Sequence, residues 1–235
     1  MKYSFEDYYY ACYNNVIDMC IDRGYKATDN TDLELLKLEK SSFEPKYERH
    51  IKGEYTALDI MPDKILDEKG TPVYVTFIEH TREGNNFIKN ILTGIYTQLK
   101  EPLKLSKDNF RSELLQKVHC IVVHRNDPKS GSQFHHNFEL FHTNRLFLNI
   151  TKHEIVPQHI MMTEKERKDI FESKNMSLAT CPKILSDDPV NIYYNGQAGD
   201  VYKIIREQKG VYFRVVSAAN SKPSPFSSQF KRLMK

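Results

Sequence analysis

Long apolar runs are missing from this chain of 235 residues. None approaches the roughly 18 to 20 residues that a helix needs to span a bilayer. The amino terminus, MKYSFEDYYYACYNN, has acids where a secretory leader has lysines, and it lacks the leader's apolar centre. The expected location is therefore intracellular. Cysteine is scarce: Cys12, Cys20, Cys120 and Cys181 lie far apart and form no CxxC pair. Reduced, buried thiols are the expected state. An excess of one charge is also missing. The net charge of +3 does not announce a nucleic-acid binder, although one small DNA-facing surface is compatible with it. No internal repeat occurs.

Catalytic signatures are missing as well. His135 and His136 with His142, or His153 with His159, contain no HExxH and no cysteine pair at zinc-finger spacing. Pro157 breaks any helix that could bring His153 and His159 to one face. Structural or solvent-exposed roles are expected for these histidines. Gly196-Gln-Ala-Gly199 lacks the lysine and threonine of a Walker motif and precedes a strand, so it reads as a turn. No GxSxG is present. Glu54, Asp59 and Glu79 could be imagined around a nuclease metal, but no strand-borne acid–x–lysine arrangement supports that reading. Arg23, Lys26, Lys46, Arg49 and Lys52 lie near Tyr25, Tyr47 and Tyr55, a mixture that can track a nucleic-acid backbone. Interleaved acids make a solvated face the default there. No catalytic, cofactor-binding or metal-binding residue is expected.

What the chain does have is well-punctuated secondary structure. Tyr9, Cys12, Tyr13, Val16, Cys20 and Ile21 make one stripe, which predicts a helix over Phe5–Arg23 closed by Gly24. A short helix is expected at Asp32–Lys40, and residues 41–70 show only weak periodicity. Pro72–Ile78 and Lys117–His124 read as strands. Asn85–Leu99 reads as a helix stopped by Pro102, and Phe110–Gln116 as another. Phe138–Leu148 is either helical or extended. Further on, Thr163 and Glu166 form a capping box for a helix to Ser173. Asp188-Pro189 starts another helix that Gly196 closes at its C′ position. Val201–Arg206 and Val211–Val216 form a hairpin around Gly210.

The stretches VPQHIMMTEKERKDIF and SDDPVNIYYNGQAGDVYKIIRE resemble the assembly domain of the fifth subunit shared by eukaryotic nuclear RNA polymerases I, II and III, which has a smaller counterpart in the archaeal RNA polymerase. The family pattern reads N-I-T-x-H-x-L-V-P-x-H, then L-P-x-I, D-P-V-x-x-Y and G-x-x-x-G-D-V-x-K-I-x-R. Asn149, Thr151, His153, Pro157, His159, Pro182, Asp188, Pro189, Gly196, Gly199, Asp200 and Arg206 fall on it in order. The resemblance implies that these twelve are structural or lie at a subunit interface. Arg23, Gly24 and Tyr25 sit where eukaryotic members carry a similar helix end. Lys183 and Tyr193 stand where the family usually has Arg, the EQKG turn is shorter than the family's loop, and a Ser/Pro/basic tail extends beyond the usual end. Such departures suit a divergent copy of the kind that a large DNA virus with its own polymerase would encode.

The resemblance implies a mixed α+β (α/β) fold in two domains. An N-terminal three-layer α/β jaw domain would span 1–148, a small C-terminal α/β assembly domain with a hairpin 149–218, and the tail 219–235. It implies a non-catalytic subunit that docks on the largest polymerase subunit, contacts other core subunits and sits near downstream duplex DNA, with Arg23, Tyr25 and Lys26 as the DNA-proximal residues. No cofactor of its own is implied; Mg2+ and Zn2+ belong on other subunits. Membrane and small-molecule partners are not expected. The location would be the nucleus for a cellular source, and host cytoplasm or virion for a viral one. A free-standing transcription adaptor and a nuclease-like enzyme are the alternatives.

Overall fold

The computed structural model describes residues 4–78, 87–107, 109–125, 137–206 and 210–218. Glu79, His135, His136, the turn residues 207–209 and the tail 219–235 lie outside them. Internal contacts divide the chain into two compact units, one up to Leu148 and one from Asn149. The fold is mixed α+β.

The first unit opens with α1 (Phe5–Asp22). Ser4 Oγ accepts from Asp7 N at 3.1 Å while Asp7 Oδ2 accepts from Ser4 N at 3.0 Å, a reciprocal cap of the first turn. Gly24 ends the helix at φ +74°, with Tyr25 N bonded back to Cys20 O at 3.0 Å. This is the left-handed stop that glycine adopts without steric penalty. Tyr9, Cys12, Tyr13, Val16 and Cys20 are all buried.

A five-stranded sheet follows in the order β1-β2-β3-β4-β5, built from β1 (Lys26–Ala27), β2 (Ile60–Leu66), β3 (Pro72–Ile78), β4 (His119–His124) and β5 (Phe138–His142). β1, β2 and β3 pair antiparallel, whereas β3, β4 and β5 run parallel. Its two faces separate by the period of two along each strand. Tyr74, Cys120, Val122, Phe138 and Leu140 pack under α3 (Phe87–Leu103) and α4 (Phe110–Lys117). On the opposite face Phe77 meets Tyr9 and Tyr13 of α1, with ring centroids 6.3 and 5.8 Å apart. The unit is thus a three-layer α/β arrangement.

Four local expectations are corrected or resolved. The helix expected at Asp32–Lys40 is a 3-10 turn at Leu33–Leu36, followed by α2 (Lys40–Ile51). Asn14 causes the break: its amide bonds both backbone groups of Leu38, at 3.1 and 3.0 Å, and holds that residue away from helical pairing. α2 escapes notice in sequence because only Phe43, Tyr47 and His50 of its twelve residues are buried, and Pro45 interrupts it. β2 is masked by Pro62, which sits in a bulge where Ile60 and Ile65 pair with Val75 and Val73. There a missing N–H is tolerated. Pro102 does not stop α3 from outside but lies in its last turn, and Lys104 at φ +48° ends it. Phe138–Leu148 is both things at once: strand β5, then α5 (Thr143–Leu146), capped by His142 Nδ1 accepting from Asn144 N at 3.1 Å.

All four thiols are buried and free. Burial pushes those of Cys12, Cys20 and Cys120 up to about 12, so they are inert at neutral pH.

Between α1 and the sheet lies a buried charge network. Arg23 grips Glu139 with both guanidinium nitrogens, at 2.6 and 2.8 Å, and each side chain is 2% exposed. His119 Nε2 meets the same carboxylate at 2.7 Å, and its Nδ1 lies 3.7 Å from Asp67. Tyr25 Oη accepts from Arg23 at 3.3 Å. Burial alone would raise the Glu139 carboxyl, but Arg23 and His119 overcome it and hold the group at about 2. Burial disfavours the His119 cation, yet Asp67 and Glu139 raise its pKa above the ordinary imidazole value. A second acid behaves differently. Burial takes Asp59 up to about 6, against lowering hydrogen bonds from Tyr74, Thr76 and Phe77.

These buried charges make stability testable in two ways. Glu139→Ala strands Arg23 in the interior and should destabilise the first unit by about 3–5 kcal/mol in chemical denaturation; a loss under about 1 kcal/mol would show the pair to be dispensable. The pH dependence has a fixed sign. His119 and Asp59, with raised folded values, supply stability that is complete at low pH and lost as pH rises through those values. Glu139 supplies stability present above its ordinary value and lost as pH falls towards about 2. Melting temperature should therefore decline from about pH 5 to about pH 7.5, and Asp59→Asn should flatten that decline around pH 6. An unchanged slope in the variant would contradict the assignment.

Candidate subunit interface

The second unit is a four-stranded sheet in the order β6-β8-β9-β7, comprising β6 (Gln158–Met161), β7 (Lys183–Leu185), β8 (Val201–Arg206) and β9 (Gly210–Ser217). β8 pairs antiparallel with β6 and β9, and β7 runs parallel to β9. The hairpin β8–β9 matches the expectation; β6 and β7, four and three residues long, are too short to show a strand period. Two helices cover the sheet, one on each face. α6 (Glu164–Ser173) brings Phe171 to Cys181, Val201 and Val215. α7 (Pro189–Tyr194) brings Tyr194 to Ile184, Tyr202, Ile204 and Val216.

The family-motif residues form the turns between these elements. Asn149 Oδ1 accepts from Thr151 N at 3.0 Å and from Thr151 Oγ1 at 2.6 Å, shaping the 3-10 turn Ile150–Lys152. His153 Nδ1 accepts from Ile155 N at 3.3 Å. His159 Nδ1 is 2.7 Å from the carbonyl of Pro157, and its ring stands edge-on to Tyr202. Burial leads the lowering of its pKa, so a hydrogen bond donated by neutral imidazole fits this geometry. The Thr163–Glu166 capping box is present, with Thr163 N donating to Glu166 at 2.8 Å. Pro182 O accepts from Val215 N at 2.9 Å. Asp188 caps α7 through Val190 N at 2.9 Å, and Pro189 takes the first helical position. Gly199 turns the chain at φ +97°, its carbonyl accepting from Arg167 at 3.0 Å. Asp200 Oδ2 accepts from Gln197 N at 2.6 Å.

Gly196 needs a correction. Asn195, at φ +56°, takes the left-handed C′ position after α7, and Gly196 comes next. A Cβ on Gly196 would press into the side chains of Asn191 and Tyr202. Those two side chains make the polar knot of the unit. Asn191, fully buried, donates to Ser186 O at 3.1 Å and Gly196 O at 3.0 Å, and accepts from Tyr202 Oη at 3.0 Å. Asn191, Tyr202 and Arg167 are not identifiable from the sequence pattern. Only the Asp-Pro start just upstream hints that Asn191 points inward. Tyr193, the departure from the family's Arg, is buried edge-on against Tyr194; Lys183 is exposed.

The expected DNA-proximal residues do not act together. Arg23 is buried and bound to Glu139, so it offers no cation to phosphate. Tyr25 packs edge-on to His119. Lys26 alone of the three is exposed. Nearby, Arg49 pairs with Glu54, and Lys52 with Glu48 at 3.1 Å. The carboxylates weighed for a nuclease are also engaged: Glu54 by Arg49 and Asp59 by Tyr74. Among the described residues no three His, Cys, Asp or Glu side chains group as for a metal ion.

What remains is surface at the outer end of the hairpin. On one face Ile160 and Val211 are exposed, and Ile205 and Phe213 half-buried. On the other, Arg206, Tyr212 and Arg214 are exposed, with the Arg206 guanidinium 5.7 Å from the Tyr212 ring centre.

Residues 148–216 match the family described as RNA polymerase Rpb5, C-terminal domain. The chain is 27% identical over 194 residues to the DNA-directed RNA polymerases I, II, and III subunit RPABC1 of Caenorhabditis briggsae, covering 81% of this chain and 85% of that protein. Identity to the Caenorhabditis elegans subunit is 28% over 195 residues, with the same coverage. The Dictyostelium discoideum subunit is 31% identical over 118 residues, 47% of this chain and 57% of that protein. The similarity to this shared polymerase subunit, read first from the C-terminal motifs, thus extends along most of the chain.

The contact at Gly196 gives a direct test. Gly196→Ala should destabilise the second unit by about 1–3 kcal/mol through overpacking against Asn191 and Tyr202, whereas Gly199→Ala meets open space and is strained only by its φ. Equal melting temperatures for wild type and Gly196→Ala would refute the close packing.

Proposed function

We propose, with the Rpb5 C-terminal domain match over 148–216 as premise, that this chain is a non-catalytic subunit of a multisubunit DNA-directed RNA polymerase. That match is the observation that carries the reading, because it coincides with a compact structural unit. In this reading the second unit docks on the largest subunit. The first unit forms part of a jaw beside downstream duplex DNA during transcription, where backbone contacts without base readout suffice. The nucleotidyl transfer and its Mg2+ then belong to the large subunits, and Zn2+ to other subunits of the complex. The location is where such a polymerase works: the nucleus in a cell, or the cytoplasm or virion for a virally encoded copy.

The structure suits such a role physically. Caps and turns fix the second unit's elements, each cap contributing about 1 kcal/mol, so the surface it presents is rigid. Lys26, not Arg23, is the cation of the expected trio that could approach phosphate. Affinity purification of the tagged full chain from its native source should recover the two largest polymerase subunits in stoichiometric amounts. A chain that migrates free of any megadalton-scale assembly in native extract, binding transcription factors instead, would favour an adaptor and overturn the proposal.

A further inference from the structure

The outer end of the β8–β9 hairpin extends beyond both covering helices, and its two faces differ in chemistry. Register places Ile205 opposite Val211, Lys203 opposite Phe213, and Ile160 opposite Lys203. With a side-chain period of two, Ile160, Ile205, Val211 and Phe213 share the face of α6. That helix covers only the inner end of this face, at Val201 and Val215. Val211 is 48% exposed and Ile160 39%, so the strip is uncovered on three adjacent strands.

The reverse face is cationic. Ile204 pairs with Tyr212 and Tyr202 with Arg214, which puts Arg206, Tyr212 and Arg214 on the side of α7. Among the described residues neither arginine has an ion pair. Asp188, the acid close enough to influence His159, is committed to capping α7. Two guanidinium groups without carboxylate partners, beside an exposed tyrosine, are a composition typical of protein interfaces.

We infer that this hairpin end is a two-faced docking blade for a protein partner that covers its apolar strip and offers carboxylates to Arg206 and Arg214. Charge complementarity argues for the carboxylates, since arginine binds them bidentately. The apolar strip argues for protein over nucleic acid, because a phosphate backbone would leave Ile160 and Val211 uncovered. The inference rests on the polymerase reading and deepens it, by naming where and through what chemistry the second unit meets its neighbour.

The test uses the tagged full chain in its native source. Arg206→Glu with Arg214→Glu should lower recovery of the largest polymerase subunit roughly tenfold or more, and Val211→Asp should do likewise. Both changes lie on exposed residues, so circular dichroism and melting should match wild type. A photo-crosslinking amino acid at Tyr212 should capture the large subunit. Normal recovery of polymerase by the folded variants would overturn the blade alone. So would crosslinks to DNA only, or to a second copy of this chain only. A wild-type chain that recovers no polymerase would overturn both the blade and the polymerase assignment.

Discussion

The first unit depends on one carboxylate. Glu139 sits on a parallel strand with no water around it, and its charge is tolerable only because Arg23 and His119 converge on it. Those partners come from different places: the end of α1 and the start of β4. Asp67, from the turn between β2 and β3, extends the network through His119. The charges thus fix the relative positions of helix, turn and two strands. Apolar packing alone is less exacting, because hydrophobic side chains can slide and repack at modest cost. The same network removes Arg23 from the surface, so a residue that looks like a DNA contact in sequence is a piece of the interior.

The second unit has no such buried charge among its described residues. Its specificity comes from close approach and satisfied neutral hydrogen bonds around Asn191, Tyr202 and Gly196. Nearly every family-motif residue is a cap or a turn, and few of those side chains reach outward. This explains how a motif can be easy to recognise and still say little about contacts. It identifies the frame, while the surface is set by residues between the motif positions, such as Ile160, Val211 and Tyr212.

Much of the fold is legible where one side chain decides one backbone feature. Gly24 at the end of α1, the Thr163–Glu166 box and the Asp188-Pro189 start all act as read. Legibility fails where a distant residue decides. Asn14 breaks a helix 24 residues away by bonding Leu38, and no local pattern announces it. The bulge in β2 is invisible because Pro62 looks like a strand breaker until β3 is beside it. For the site, the family is legible from spacing and residue type. The burial of Arg23 is not, since its partner lies 116 residues downstream.

That separation has a consequence in time. A ribosome delivers α1 early and Glu139 late. Until β5 emerges, Arg23 has no carboxylate to enter the interior with, and must stay hydrated. The parallel order of β3, β4 and β5 makes the same demand, since each strand pairs with one that arrives after a long connection. Closing such connections is slow relative to local structure. Helix α1 can therefore form on its own schedule, but it cannot dock until most of the first unit has been made. The nascent chain meanwhile exposes the Tyr9–Cys20 stripe, the interval in which a chaperone would be most useful to it.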